Sequence, residues 1–467
     1  MNAQERFDRF IQRYPQPRRS FLDRPHFTRR QFFQILGCGV TGACLLPSLR
    51  AVPVVRQTPV QTQNKAKSVI FILLQGAPSH IDTFDFKTVP GVTPDNFNPE
   101  TISGITWPTG LLPNLANNLP DLAIVRSMRA WALVHSLAQR WTQIGRNPAA
   151  ALGDIAPNIG SVVALEKDSE RTPNQVFPTF IALNSNSAAG PGYFAATYAP
   201  FEIAPSSKGL ANTTNPDGQA LSNERWGQLH ALDDPLRVNS PLGRPLEDYD
   251  NFYTAARSLM YNPTVQQAFA FSAADSQRYG SSSFGNACLV AKQILEANQG
   301  TRFIEITLGS WDMHQNIYGQ TNPNGNNLYT LGKTFDLGAS ALLSDLKSSG
   351  LLDETLVVMV GEFGRTVGPL SAAGGRDHYP QQSIVFAGAG VKGGRAIGST
   401  TDDGSMTADP GWSRGRDVKP EDVEATIYSA MGINWTTVRY DDPFGRGFEY
   451  VPFSDQDVYG PIDELWE

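Results

Sequence analysis

Residues 361–380, GEFGRTVGPLSAAGGRDHYP, set Glu362, Arg365, Arg376, Asp377 and His378 on one Gly- and Pro-rich connection, in a chain of 467 residues with six histidines and 18% charged residues. Similar groups recur directly after other apolar runs. His80, Asp82 and Asp85 lie in QGAPSHIDTFD, His135 and Ser136 in RSMRAWALVHSLAQ, and Asp312 and His314 in GSWDMHQN. Of the five histidines beyond residue 50, only His230 falls elsewhere. Imidazole and carboxylate are ligands of zinc, manganese and iron, and a mixed set leaves coordination positions for a substrate.

Each segment also has an ordinary reading. Asp312 and His314 suit an extended loop in which alternate side chains face one way and grip one ion, but a lone Asp-x-His is more often a hydrogen-bonded loop. Glu362 is placed to be another ligand or a general base, and Arg376–Asp377 reads equally as an ion pair. Ser136 opens a helical pattern. Its hydroxyl is either an N-cap or a nucleophile on the positive end of the helix, and the residues alone favour the cap.

The elements that must position these groups alternate between strand and helix. SVIFILLQG, DLAIVRSM (121–128), RFIEITLG (302–309), ETLVVMVG (354–361) and SIVFAGAG (383–390) read as strands. Their continuous apolar character fits strands buried on both faces. SLAQRWTQIG (136–145), FGNACLVAKQILEANQ (284–299), TFDLGASALLSDLKSSG (334–350) and PEDVEATIYSAMG (420–432) read as helices, the last with Pro at its start and Gly at its end. This alternation predicts an α/β fold on a largely parallel sheet, and in such sheets ligands gather beyond the carboxyl ends of the strands. Residues 184–265, rich in Asn, Pro, Gly and Ser, break the rhythm and read as an insertion capping the sheet edge. GAGVKGGRAIG (388–398) lacks the glycine order of a dinucleotide loop and reads as a β-hairpin.

The chain carries a net charge of −7, but residues 1–50 hold nine Arg, no Lys and three acids. Removing that +6 leaves −13 on residues 51–467. So acidic a body argues against nucleic acid as a partner. TRRQFFQ (28–34) followed by ILGCGVTGACLLP (35–47) matches a twin-arginine export signal, with an apolar stretch too short to span a bilayer. Residues 1–50 are therefore expected to be a leader and 51–67 a linker, with a main domain over 68–467. The implied partner is the twin-arginine export machinery, and the implied location periplasmic or extracellular. Cleavage is expected near residues 49–51, and lipid attachment at Cys44 is the alternative. Cys38 and Cys44 belong to the leader, and Cys288 reads as a buried core thiol.

LLQGAPSHIDTFD, AIVRSM, GYFAATYAPF, WDMHQN, GEFGRTV, GGRDHYP, GAGVKGGRAIGSTTDDG and PEDVEATIYSAMGI together resemble the domain-of-unknown-function 1501 family of exported bacterial proteins. That family resembles a branch of the alkaline phosphatase and sulfatase superfamily. The resemblance implies a three-layer α/β/α sandwich with one or two divalent ions at the carboxyl ends of the strands. Zinc is the first choice of ion, with manganese, calcium or iron as others. It further implies hydrolysis of a small anionic phosphate or sulfate ester. Asp312, His314 and His378 would hold one ion, and Glu362 with His80 or Asp82 a second. Ser136, beside His135, would be the nucleophile, and Arg365 and Arg376 would hold anionic oxygens. Gln75-Gly76 stands where the superfamily has a metal-binding Asp, and Phe363 where it has a His. These departures support the alternative of a non-catalytic envelope binding protein on a degenerate fold. A redox enzyme lacks any cofactor motif here, and one cysteine beyond the leader excludes an all-cysteine iron–sulfur site.

Overall fold

All six residues of Ser68–Leu73 are buried. Ile70 and Ile72 enter one apolar core, and Val69, Phe71 and Leu73 another. A strand covered by helices on both faces requires this pattern. The structure is a computed structural model and describes residues 55–185, 188–237, 244–319 and 327–467. The expected leader, with Cys38 and Cys44, lies outside the described residues.

Eight strands form the central sheet and are numbered within it: β1 Ser68–Leu73, β2 Leu122–Arg129, β3 Phe180–Leu183, β4 Phe201–Ile203, β5 Phe303–Thr307, β6 Thr355–Val360, β7 Gln381–Ala387 and β8 Arg395–Ile397. Their spatial order is β8-β2-β7-β6-β1-β5-β3-β4. All neighbouring pairs are parallel except those made by β7, which runs antiparallel to both β2 and β6. The expected largely parallel α/β sheet is present. Five helices cover it: α1 His135–Ile144, α2 Ile159–Lys167, α3 Ser283–Ala297, α4 Leu328–Ser348 and α5 Pro420–Ala430. The apolar sides of α3 and α4 fill the core around Ile70 and Ile72, and those of α2 and α5 fill the core around Val69 and Phe71. The result is a three-layer α/β/α sandwich.

Three regions refine the sequence reading. GAGVKGGRAIG does not form a hairpin, because β8 pairs parallel with β2 at the sheet edge and never touches β7. Within the 184–265 stretch, β4 extends the sheet, and two helices, Gln219–Arg237 and Arg244–Leu259, come after it. The described part of the 51–67 stretch is tied down: Val55–Arg56 pairs antiparallel with Val438–Arg439, and Asn64 and Ala66 donate to the carbonyls of Ser429 and Ala430 at the end of α5.

Candidate metal centre

The parallel strands deliver their following loops to one edge of the sheet. β7 points the other way, so the residues before it arrive at that same edge. A two-residue ribbon fixes this arrival, with Gly364 opposite Tyr379 and Arg365 opposite His378. Two glycines let the loops close. A Cβ on Gly76, whose φ is +100°, would lie 2.6 Å from the backbone nitrogen of Asp312. One on Gly375 would lie 2.0 Å from the carbonyl carbon of His314. Neither position has room for a side chain.

Among the described residues, one group of His, Cys, Asp or Glu converges: His135, Asp312, His314 and His378, with ligand atoms all within 4.8 Å of one another. Asp312 Oδ1 lies 3.2 Å from His135 Nε2, 2.9 Å from His314 Nε2 and 3.7 Å from His378 Nε2. The Nε2 atoms of His314 and His378 are 3.1 Å apart. Met313, between Asp312 and His314, is buried on the opposite side, as alternation along an extended segment demands.

Each imidazole is also held from behind through its Nδ1. His135 meets Glu362 Oε1 at 2.7 Å, His314 meets Asp377 Oδ1 at 2.7 Å, and His378 meets the Leu133 carbonyl at 2.7 Å. All three partners are acceptors, so each Nδ1 must carry the proton. A neutral ring then has only a lone pair at Nε2. With all three rings neutral, three lone pairs and a carboxylate oxygen thus face one another with no proton of their own between them. His135 Nε2 is buried without a hydrogen-bond partner, its 3.2 Å approach to Asp312 lying outside hydrogen-bond geometry. Such convergence is repulsive unless a cation fills the centre, and a second partner on each ligating histidine is what metal sites use to fix ring orientation. The residues fit a metal ion.

Charge around the cluster is ordered. The hydrogen bond that His135 donates to Glu362 raises the His135 pKa above its ordinary value, with burial opposing it. Burial lowers that of His378. Burial also works against the Asp312 charge, yet Arg365, His135 and His314 hold its carboxyl below the usual range. Arg365 is 1% exposed. Its Nη2 donates to Asp312 at 2.6 Å and to the Gly76 carbonyl, and its other nitrogens donate to the carbonyls of Ala77 and Arg376. A fixed guanidinium thus stands beside the cluster.

The other residues singled out in the sequence have different surroundings. Glu362 is 1% exposed and accepts from Gly76 N, His135 and Gln139 Nε2, with no free face toward the cluster. Asp82 pairs with Arg376 at 2.9 Å and accepts from the Tyr318 hydroxyl at 2.7 Å. Arg376 is fully buried, and it also binds the carbonyls of Thr366 and Gly368. It braces the loop from within. His80 Nε2 donates to the Gly404 carbonyl at 2.9 Å. Ser136 lies exposed in the first turn of α1, not at its N-cap, which is Val134 with no side-chain cap bond. Its hydroxyl is therefore not used as a cap. Asp377, Gln139 and the Leu133 carbonyl were not singled out as site residues in the sequence. Gln139 had one signal, its i+4 spacing from His135 on the same helix face.

Residues 66–458 match the model of a family described as a protein of unknown function, DUF1501. No curated protein matches the sequence. Solved structures with similar folds include the lipoteichoic acid synthase LtaP from Listeria monocytogenes, at 12% identity and TM-score 0.37, covering 82% of this chain and 76% of that one. An alkaline phosphatase superfamily protein from Vibrio parahaemolyticus has 12% identity, TM-score 0.37 and coverages of 87% and 76%. The phosphonate monoester hydrolase of Agrobacterium radiobacter has 10% identity, TM-score 0.37 and coverages of 86% and 77%.

Proposed function

The chain belongs to the DUF1501 family, and we propose that it is an exported metal-dependent hydrolase of phosphate or sulfate esters with a single-ion centre at His135, Asp312, His314 and His378. The observation that carries this reading is the meeting of three Nε2 atoms with one carboxylate, each ring held through Nδ1 by an acceptor. Three imidazoles and one carboxylate suit zinc. A divalent ion held there supplies Lewis acidity and charge neutralisation. Arg365 keeps Asp312 ionised and adds a second fixed positive charge beside the centre. Asp312 and His314 are 36% and 40% exposed, so the centre opens to solvent and to substrate. Ser136, exposed next to His135 on the first turn of α1, is the nucleophile in this reading, sitting at the positive end of the helix. The export part of the reading comes from TRRQFFQ and the apolar stretch behind it. No helix among the described residues is long and apolar enough to cross a membrane.

Elemental analysis of the purified protein, paired with turnover of aryl phosphate and aryl sulfate esters, tests the proposal. The expected result is about one bound ion per chain, with turnover lost in Asp312→Ala and in Ser136→Ala. Absence of bound metal would sink the hydrolase. Bound metal without turnover would favour the binding-protein reading, which the fully buried Phe363, packed on His135 and His378, also supports.

A further inference from the structure

A cavity of about 350 Å³ lies on the flank of α1, walled by Trp131, Trp141, Arg146, Asn147, Glu421 and Tyr459 among others. Its volume is at the small end of the range for small-molecule sites. The two indoles are nearly parallel, at 25° with centroids 6.3 Å apart. Both are pinned to one carboxylate: Trp131 Nε1 donates to Glu421 Oε2 at 3.0 Å, and Trp141 Nε1 to Glu421 Oε1 at 2.9 Å. Glu421 is only 3% exposed, whereas Trp131 is 48% exposed. The Trp131 indole is thus fixed in place with half its surface left to solvent.

We infer that this cavity binds a neutral sugar ring, with the apolar C–H face of the ring on the solvent-exposed part of the Trp131 indole that Lys419 Nζ leaves uncovered, and its hydroxyls on Glu421, Asn147 and Arg146. Each Glu421 oxygen accepts one indole bond and keeps lone-pair capacity for a hydroxyl donor. Arg146 Nε is buried without a partner. Charged occupants fit less well. An organic cation would meet Lys419, whose Nζ already sits 4.1 Å from the Trp131 ring centroid, and the Arg146 guanidinium in the wall. An anion would stand beside Glu421, whose carboxyl pKa burial already pushes up to about 7, and would disfavour its charge further. A polyol ring carries an apolar face and a hydrogen-bonding rim without net charge, which matches both surfaces.

The cavity shares a segment with the metal centre. Trp131 stands two residues before Leu133, whose carbonyl holds His378, and Trp141 lies on the helix that begins at His135. Where the hydrolase reading also holds, the sugar is the organic part of the ester. Sugar binding itself does not rest on that reading.

Calorimetric and tryptophan-fluorescence titrations with the methyl glycosides of glucose, galactose, mannose and N-acetylglucosamine test the inference. At least one should saturate in the millimolar range. Trp131→Ala should weaken it about tenfold, Trp131→Phe should retain most of the affinity, and Asp312→Ala should leave it unchanged. That last variant separates sugar binding from the metal centre. Near-UV circular dichroism confirms the fold of Trp131→Ala, and Glu421→Gln gives a second, independent loss. Saturation by none of the four glycosides would overturn the inference. So would tetramethylammonium or acetate binding in their place, or glycoside binding indifferent to both Trp131→Ala and Glu421→Gln.

Discussion

His80 and His135 both come after a central strand, both stand near carboxylates, and they have opposite surroundings. Around His80 the charges pair with one another, although His80 Nδ1 is buried without a hydrogen-bond partner. Asp82 and Arg376, each 0% exposed, pair at 2.9 Å, Tyr318 adds a bond, and the His80 proton goes to the Gly404 carbonyl. Around His135 the protons all point outward, to Glu362, Asp377 and the Leu133 carbonyl, and acceptors face inward. Histidine and acid together do not mark a metal site. What separates the two clusters is how many acceptors meet: the one unpartnered His80 nitrogen stands alone, whereas three imidazole nitrogens and a carboxylate converge on one point and call for a cation.

The largest test of that contrast is Asp312→Ala. Bound metal, read by elemental analysis, should fall from about one ion to under about a tenth per chain, because the shared carboxylate of the cluster is gone. Asp82→Asn should do the converse. It leaves Arg376 buried with a weakened partner and should cost about 3 kcal/mol in urea unfolding, with metal content of the folded protein unchanged. Metal loss in Asp82→Asn at full stability would erase the distinction between the clusters.

Glu362→Gln should weaken metal binding by about 10–100-fold in a competition titration with a chromogenic chelator. The amide accepts from only one oxygen, and it cannot balance the charge gathered on His135. Asp377→Asn should weaken it by less than about tenfold, since the Asp377 side chain is 66% exposed and water replaces much of its bond to His314.

The smallest effect is a titration difference in the metal-free protein, tracked by imidazole NMR. His135 should protonate above its ordinary 6.5 because of the Glu362 hydrogen bond, and His80 below it because of burial. The signs for stability are opposite. The His135–Glu362 contribution is fully present below the unfolded value and fades as pH rises through the raised folded value. The neutral, buried His80 is tolerated above 6.5 and destabilises the fold as pH falls beneath it.

Much of this was legible in the sequence, because the rule was positional. Apolar runs mark the strands, and the segments just beyond the carboxyl ends of β2 and β5 hold His135, Asp312 and His314. His378 lies at the opposite end of its strand, and only the antiparallel direction of β7 explains why it joins the others. The role of each acid was not legible. Glu362 stands just past β6 and looks like a ligand, but its oxygens are taken by Gly76 N and Gln139 Nε2, groups 286 and 223 residues away in the chain. Residue types limit what a carboxylate can do, and the donors that reach it from distant segments decide which of those roles it takes. The same holds for Arg376, whose sequence neighbour Asp377 suggested an ion pair. The guanidinium turns to Asp82, and Asp377 is left to orient His314.

The sheet order also sets a timetable. β2, which leads into His135, pairs among the described residues with β7, β8 and Val418, all beyond residue 380. β1 likewise waits for β5 and β6. A growing chain therefore holds its first two strands unpaired through most of synthesis, and closing such distant pairs is slow. An ion that needs His135 and His378 together cannot be captured by a partial chain. Its uptake would report that the chain has been made and folded at least through β7.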